Sequence, residues 1–85
     1  MKASVFETYV KRKNGHTMHF DIVVPEKTSF ETAQGFGYKY LETRGEAGQP
    51  LTSKECRFCH IEMATPAMID DFEKQGYHII EMEGC

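Results

Sequence analysis

Two runs, Ala3-Ser4-Val5-Phe6-Glu7-Thr8-Tyr9-Val10-Lys11 and His16-Thr17-Met18-His19-Phe20-Asp21-Ile22-Val23-Val24, alternate as strands do, and Asn14-Gly15 stands between them. Asn-Gly flanked by alternating residues is a strong hairpin signal, because both residues tolerate the positive φ of a type I′ turn. A two-residue loop here sets Lys13 opposite His16, Lys11 opposite Met18, Tyr9 opposite Phe20, Glu7 opposite Ile22 and Val5 opposite Val24. Val5, Tyr9, Met18, Phe20, Ile22 and Val24 are then the expected core face, with Glu7 its one misfit. The other face carries Phe6, Thr8, Val10, His19, Asp21 and Val23, a mixed set.

Pro25 ends the second strand, since proline cannot donate to a ladder. Thr28-Ser29-Phe30-Glu31 reads as a capping box with Thr28 as cap, and Phe30, Ala33, Gly37, Tyr40 and Leu41 recur at helical spacing over residues 29–43. Gly35 and Gly37 each cost about 1 kcal/mol inside a helix, so Gly37 is expected to serve close packing on the sheet. Gly45 marks the stop, and 46–50 is a polar loop. Leu51 to Phe58 is the expected third strand. Thr65-Pro66 opens a second helix with Met68, Ile69 and Phe72 as its buried stripe. Gly76 closes that helix, and Tyr77 to Met82 reads as the last strand. The expectation is one α+β domain over residues 1–85, in two layers and in the order ββαβαβ. Its N-terminal hairpin lies in a mixed four-stranded sheet, with both helices on one face.

The formal charge is −3 over 85 residues, so no global basic field exists to attract nucleic acid or anionic lipid. Lys11-Arg12-Lys13 is the only basic run and falls at the hairpin tip, where a solvated turn accounts for it. No apolar stretch nears the roughly 20 residues that span a bilayer. The start, Met1-Lys2-Ala3-Ser4-Val5-Phe6-Glu7, lacks the apolar core of a secretory signal, which leads to the expectation of a cytoplasmic protein with reduced thiols. Three cysteines, an odd number, do not suit a closed disulfide framework.

The chemically loaded stretch is Cys56-Arg57-Phe58-Cys59-His60. As a c-type haem attachment motif it needs export and a large apolar enclosure, and neither is expected here. As a redox dithiol it wants a helix N-terminus beside the first thiol, but the next helix opens near Thr65. As a zinc knuckle it supplies two thiolates of the four ligands required, with His60, Cys85, His78, His16 or His19 to complete the set. Buried, reduced cysteines packed as small hydrophobes explain the same residues. His16 and His19, three apart in a strand, face opposite sides, whereas His19 shares a face with Thr8 and Asp21. Gln34-Gly35-Phe36-Gly37 lies inside a capped helix, the wrong context for a dinucleotide loop.

Val5-Phe6-Glu7-Thr8-Tyr9-Val10, Gly15-His16-Thr17-Met18-His19-Phe20-Asp21, Thr52-Ser53-Lys54-Glu55-Cys56-Arg57-Phe58-Cys59-His60 and Glu83-Gly84-Cys85 together resemble a small bacterial family catalogued as domain of unknown function 2024. The resemblance covers essentially the whole chain. It implies an autonomous α/β domain, brings no established activity, and makes the Cys-x-x-Cys-His run and the terminal cysteine family features. The leading expectation is a non-enzymatic cytosolic domain with Cys56, Cys59, His60 and Cys85 as candidate ligands for a transition metal, zinc first. A thiol redox protein using Cys56 and Cys59 is the alternative. A protein-interaction module, self-association included, is the third, motivated by Phe6, Val10 and Val23 on the mixed hairpin face.

Overall fold

A computed structural model describes all 85 residues. The elements are β1 (Lys2–Lys11), β2 (Thr17–Pro25), α1 (Phe30–Thr43), β3 (Cys56–Met63), α2 (Pro66–Gln75) and β4 (His78–Glu83). The ββαβαβ order and the α+β class are those expected. The four strands form one sheet in the order β3-β1-β2-β4. Every neighbouring pair is antiparallel, so the sheet is not mixed. The hairpin fills its centre, and the two later strands become its opposite edges.

The hairpin register differs from the expectation by one residue. Lys11 faces Thr17, Val10 faces Met18, Thr8 faces Phe20 and Phe6 faces Ile22. The cause is the turn. Arg12 N–H donates to His16 O and Gly15 N–H to Arg12 O, so three residues, not two, lie between the last bonded pair. Gly15 alone has positive φ, at 89°, which matches a type I turn closed by a left-handed glycine, not a type I′ turn. Asn14 caps that turn by accepting from His16 N–H at 3.0 Å. One residue of slip turns the whole of β1 over. Phe6 and Val10, placed on the mixed face by the sequence, are buried in the main core, whereas Tyr9, placed in the core, is 48% exposed.

Each face of the sheet carries one helix, so the expected two layers become three. On the first face Phe6, Val10, Met18, Phe20, Ile22 and Val24 pack with Ala33, Tyr40 and Leu41 of α1 and with Leu51. On the second, Ala3, Val5 and Val23 pack with Met68 of α2, flanked by Phe72 and Ile80. Because Ile22, Val23 and Val24 alternate along β2, the two helices are on opposite sides. Val23 too is fully buried, so the mixed face offers no exposed apolar trio for an interaction surface.

Local chemistry sets the helix ends. Ser29 caps α1 by accepting from Thr32 N–H, one residue later than the expected box, while the Thr28 hydroxyl donates to Pro25 O. Thr65 caps α2 with Pro66 in its first turn, and Gly76 ends it at φ 94°, both as expected. The third strand begins at Cys56 and not Leu51. Residues 52–55 coil into a turn, with Cys56 N–H donating to Thr52 O and the Glu55 carboxylate accepting from Thr52 N–H and hydroxyl. Leu51 instead drops fully into the core beneath α1. No helix is long and apolar enough to cross a membrane.

Gly37 brings α1 down onto that core: a Cβ there would sit 2.3 Å from Leu51 Cδ2 and 2.9 Å from Ile22 Cδ1, both of them ends of fully buried side chains. A Cβ on Gly35 would meet nothing within 4 Å. Overpacking costs about 1–3 kcal/mol and helix propensity returns about 1 kcal/mol. Gly37→Ala is therefore expected to lower the urea midpoint, and Gly35→Ala to raise it; equal shifts of one sign for both would contradict the close approach.

Candidate functional site

The thiol segment opens β3 instead of ending it. Cys56 is 1% exposed and faces Thr8, inside the main core. Burial pushes its thiol pKa up, and the Thr8 hydroxyl beside it works the other way to a smaller extent. Cys56 is thus a protonated, packed thiol. Two residues on, the ladder slips: Val5 faces His60 while Phe6 faces Phe58, so Cys59 has no counterpart and forms a β-bulge. Cys59 is exposed. His60 is half-exposed, with Nε2 3.7 Å from Glu62 Oε1 on the same face.

Cys85 lies elsewhere. It follows β4, and its thiol donates to His19 O at 3.4 Å. That places the thiol over β2, at the rim of the main core, with β1 between it and β3, a separation of about 10 Å at ordinary strand spacing. Cys56, Cys59, His60 and Cys85 therefore do not converge, and no group of three or more His, Cys, Asp or Glu side chains is placed to hold a metal ion. All three cysteines are free. Cys56 is packed in the core and Cys59 is exposed at the bulge, so the two thiols do not face one another.

The true register gathers a polar cluster that the sequence reading dispersed. Tyr9 faces His19 and Glu7 faces Asp21 on the second face, beyond the end that α2 covers. The Tyr9 ring stacks on His19 at 4.1 Å, and the Tyr9 hydroxyl donates to Glu7 Oε1 at 3.1 Å. His19 Nε2 lies 3.4 Å from the same oxygen but outside hydrogen-bond geometry, which leaves it buried and unsatisfied. Asp21 is buried at 8% exposure. Desolvation raises its pKa, His19 opposes this, and Glu7 adds to it. His78 bonds Asp71 at 2.7 Å at the far end of the sheet, in β4 and α2. The sequence flagged Glu7, His19 and Asp21, but the wrong turn placed Glu7 against Ile22 and joined Thr8 to the others. The signal that finds the cluster is the loop count, since Gly15 suits a left-handed closing position as well as a type I′ turn.

The remaining surface feature is β3 itself. Six of its eight residues are exposed. Among them Phe58, Ile61 and Met63 are 54%, 48% and 65% exposed. Phe58 makes an edge-on contact with Phe6, centroids 5.8 Å apart. A hollow bounded by Lys2, Glu26, Ile61, Glu62 and Met63 lies beside the strand's end. The bulge matters here: Phe58 faces Phe6 and Ile61 faces Ser4, so the two share the first face although they are three residues apart.

With this fold and edge in view, the chain belongs to the family described as domain of unknown function DUF2024, whose profile matches residues 1–82. An NMR structure of a Nitrosomonas europaea protein is similar to it at 44% identity and a TM-score of 0.87, covering 100% of this chain and 99% of that one. No curated protein matches the chain. The family carries no established activity.

Asp21 supplies a pH test of the cluster. Its folded pKa is raised above an unfolded value near about 3.9, so the fold prefers the neutral carboxyl. Ionisation destabilises the fold at neutral pH, and that penalty disappears as pH falls through the raised pKa to the unfolded one. Asp21→Asn is expected to raise the melting temperature by a few degrees at pH 7 and to leave it unchanged at pH 3. A loss at pH 7 would show instead that the ionised carboxylate holds the cluster together.

Proposed function

We propose that this domain is a non-catalytic protein-interaction module that docks through the exposed edge of β3. The observation that carries the reading is an edge strand with Phe58, Ile61 and Met63 all about half-exposed or more, on a chain whose other large apolar strand residues are mostly buried. Unpaired edge groups beside apolar side chains are the template for strand addition. Such edges are normally shortened, charged, bulged or covered; β3 is bulged at Cys59, but that bulge brings Phe58 and Ile61 onto one face. Here Arg57 and Glu62 are the only charges on the strand apart from His60.

The thiol readings draw less support. A zinc site built from Cys56, Cys59, His60 and Cys85 asks for four ligands from opposite faces of β3 and from a tail residue over β2. A Cys56–Cys59 redox couple asks a core thiol to leave its packing. The cluster of Glu7, Tyr9, His19 and Asp21 holds acid–base groups, but none of the four lines either hollow of the molecule. Concave, largely enclosed sites are the usual setting for small-molecule chemistry.

Ile61 separates docking from folding, because it is half-exposed and buries little. Ile61→Lys is expected to shift stability by no more than about 0.5 kcal/mol while removing whatever protein the wild type retains when immobilised. An unchanged retained set, with the variant folded, would sink the β3 reading.

A further inference from the structure

We infer that the occupant of the β3 edge is the β3 strand of a second copy of this chain, paired antiparallel about a two-fold axis between Cys59 and His60. The inference rests on the docking reading above and names its partner. Its ground is the symmetry of the strand. About that axis Cys56 meets Met63, Arg57 meets Glu62, Phe58 meets Ile61, and Cys59 meets His60 of the other copy. Both Arg57–Glu62 pairs bring opposite charges together, and both Phe58–Ile61 pairs bring apolar side chains together.

The faces agree with this register only because of the bulge. In a regular strand Phe58 and Ile61 would point to opposite sides, as would Arg57 and Glu62. The unpaired Cys59 shifts the alternation, so Phe58 and Ile61 share the face of Phe6 and Ser4, and Arg57 and Glu62 share that of Glu7 and Ala3. The bulge therefore makes the strand self-complementary on both faces at once. A hollow bounded in part by Ile61 and Met63 adjoins the position that Phe58 of the second copy faces in this register. The other edge offers no such match. β4 carries Glu81 and Glu83 with His78 as its only counter-charge, and Glu81 is already engaged by the Tyr40 hydroxyl and Arg44. A two-fold contact of this kind is isologous and closes at the dimer.

Sedimentation equilibrium of the full chain from about 1 µM to 1 mM reads the contact directly, across the range expected of a small interface. Wild type is expected to pass from monomer to dimer. Arg57→Glu and Glu62→Arg each place like charges opposite one another twice per dimer, and each is expected to weaken association about tenfold or more. An equimolar mixture of the two variants restores both opposite-charge pairs, so it is expected to associate as wild type does. Circular dichroism and melting curves check that both variants are folded, and Glu62→Arg, which faces Ala3 across the ladder and gives up only the solvent-exposed contact with His60, stands alone if Arg57→Glu is destabilised beside Glu7. In the wild-type dimer a short bismaleimide is expected to join Cys59 to Cys59.

Association that neither charge reversal weakens, or a mixture that stays monomeric, overturns this pairing. A wild type monomeric at every concentration also overturns it. In that case the docking reading survives only if Ile61→Lys still removes a retained partner, so the two failures are distinguishable.

Discussion

The turn at Arg12–Gly15 decides which way β1 faces, and the Glu46 carboxylate holds that turn in place. Glu46 is 4% exposed and accepts from Lys13 N–H at 3.1 Å, while Arg12 Nε donates to it at 3.3 Å. A buried carboxylate is tolerable only with such partners, so the loop after α1 and the hairpin tip hold one another. Arg12 also donates to Gly84 O at 2.9 Å, which ties the chain's end to the same tip. The basic run read as a solvated turn is thus an anchor point. With the turn fixed, the pleat of β1 sends Phe6 and Val10 to α1, Ala3 and Val5 to α2, and Glu7 and Tyr9 to the uncovered part of the second face.

The strand order has a functional consequence. The hairpin takes the centre of the sheet, so β3 and β4 are its edges. α1 packs on the hairpin, and α2 packs over β2 and β4. β3 is left with neither helix as a roof along most of its length. The same order separates the thiols. Cys56 is held in the core beside β1 and Cys85 at the rim of that core over β2, so a motif that looks like chemistry in one dimension divides into a packing residue, a bulge residue and a separate tail.

Much of the fold was legible because the local signals are strong. Pro25 ends β2, Thr65-Pro66 opens α2, Gly76 closes it, and Gly37 lies against Leu51 and Ile22. The misreadings share a physical root. Asn-Gly fits two turn geometries that differ by one loop residue, and period-two alternation cannot choose between them when both faces of a strand are part apolar. Phe6 with Val10 and Val5 with Tyr9 are equally plausible core pairs until the turn is known. The bounds of β3 were missed because Leu51 is apolar and buried for the sake of α1, not as part of a ladder. The exposed edge had no signal of its own, since exposure depends on which strand takes the outside of the sheet. The family resemblance named the right relatives but carried no chemistry to settle the site.

In the pairing proposed above, the outer edge of β3 is a pairing surface rather than a protected one. Amide hydrogen exchange along residues 57–63, compared between a dilute and a concentrated sample, reads that edge residue by residue. If β3 pairs with a second copy, its outward-pointing amides exchange freely when dilute and become protected when concentrated, with those of β4 unchanged. Identical, rapid exchange of the outward β3 amides at both concentrations would contradict it.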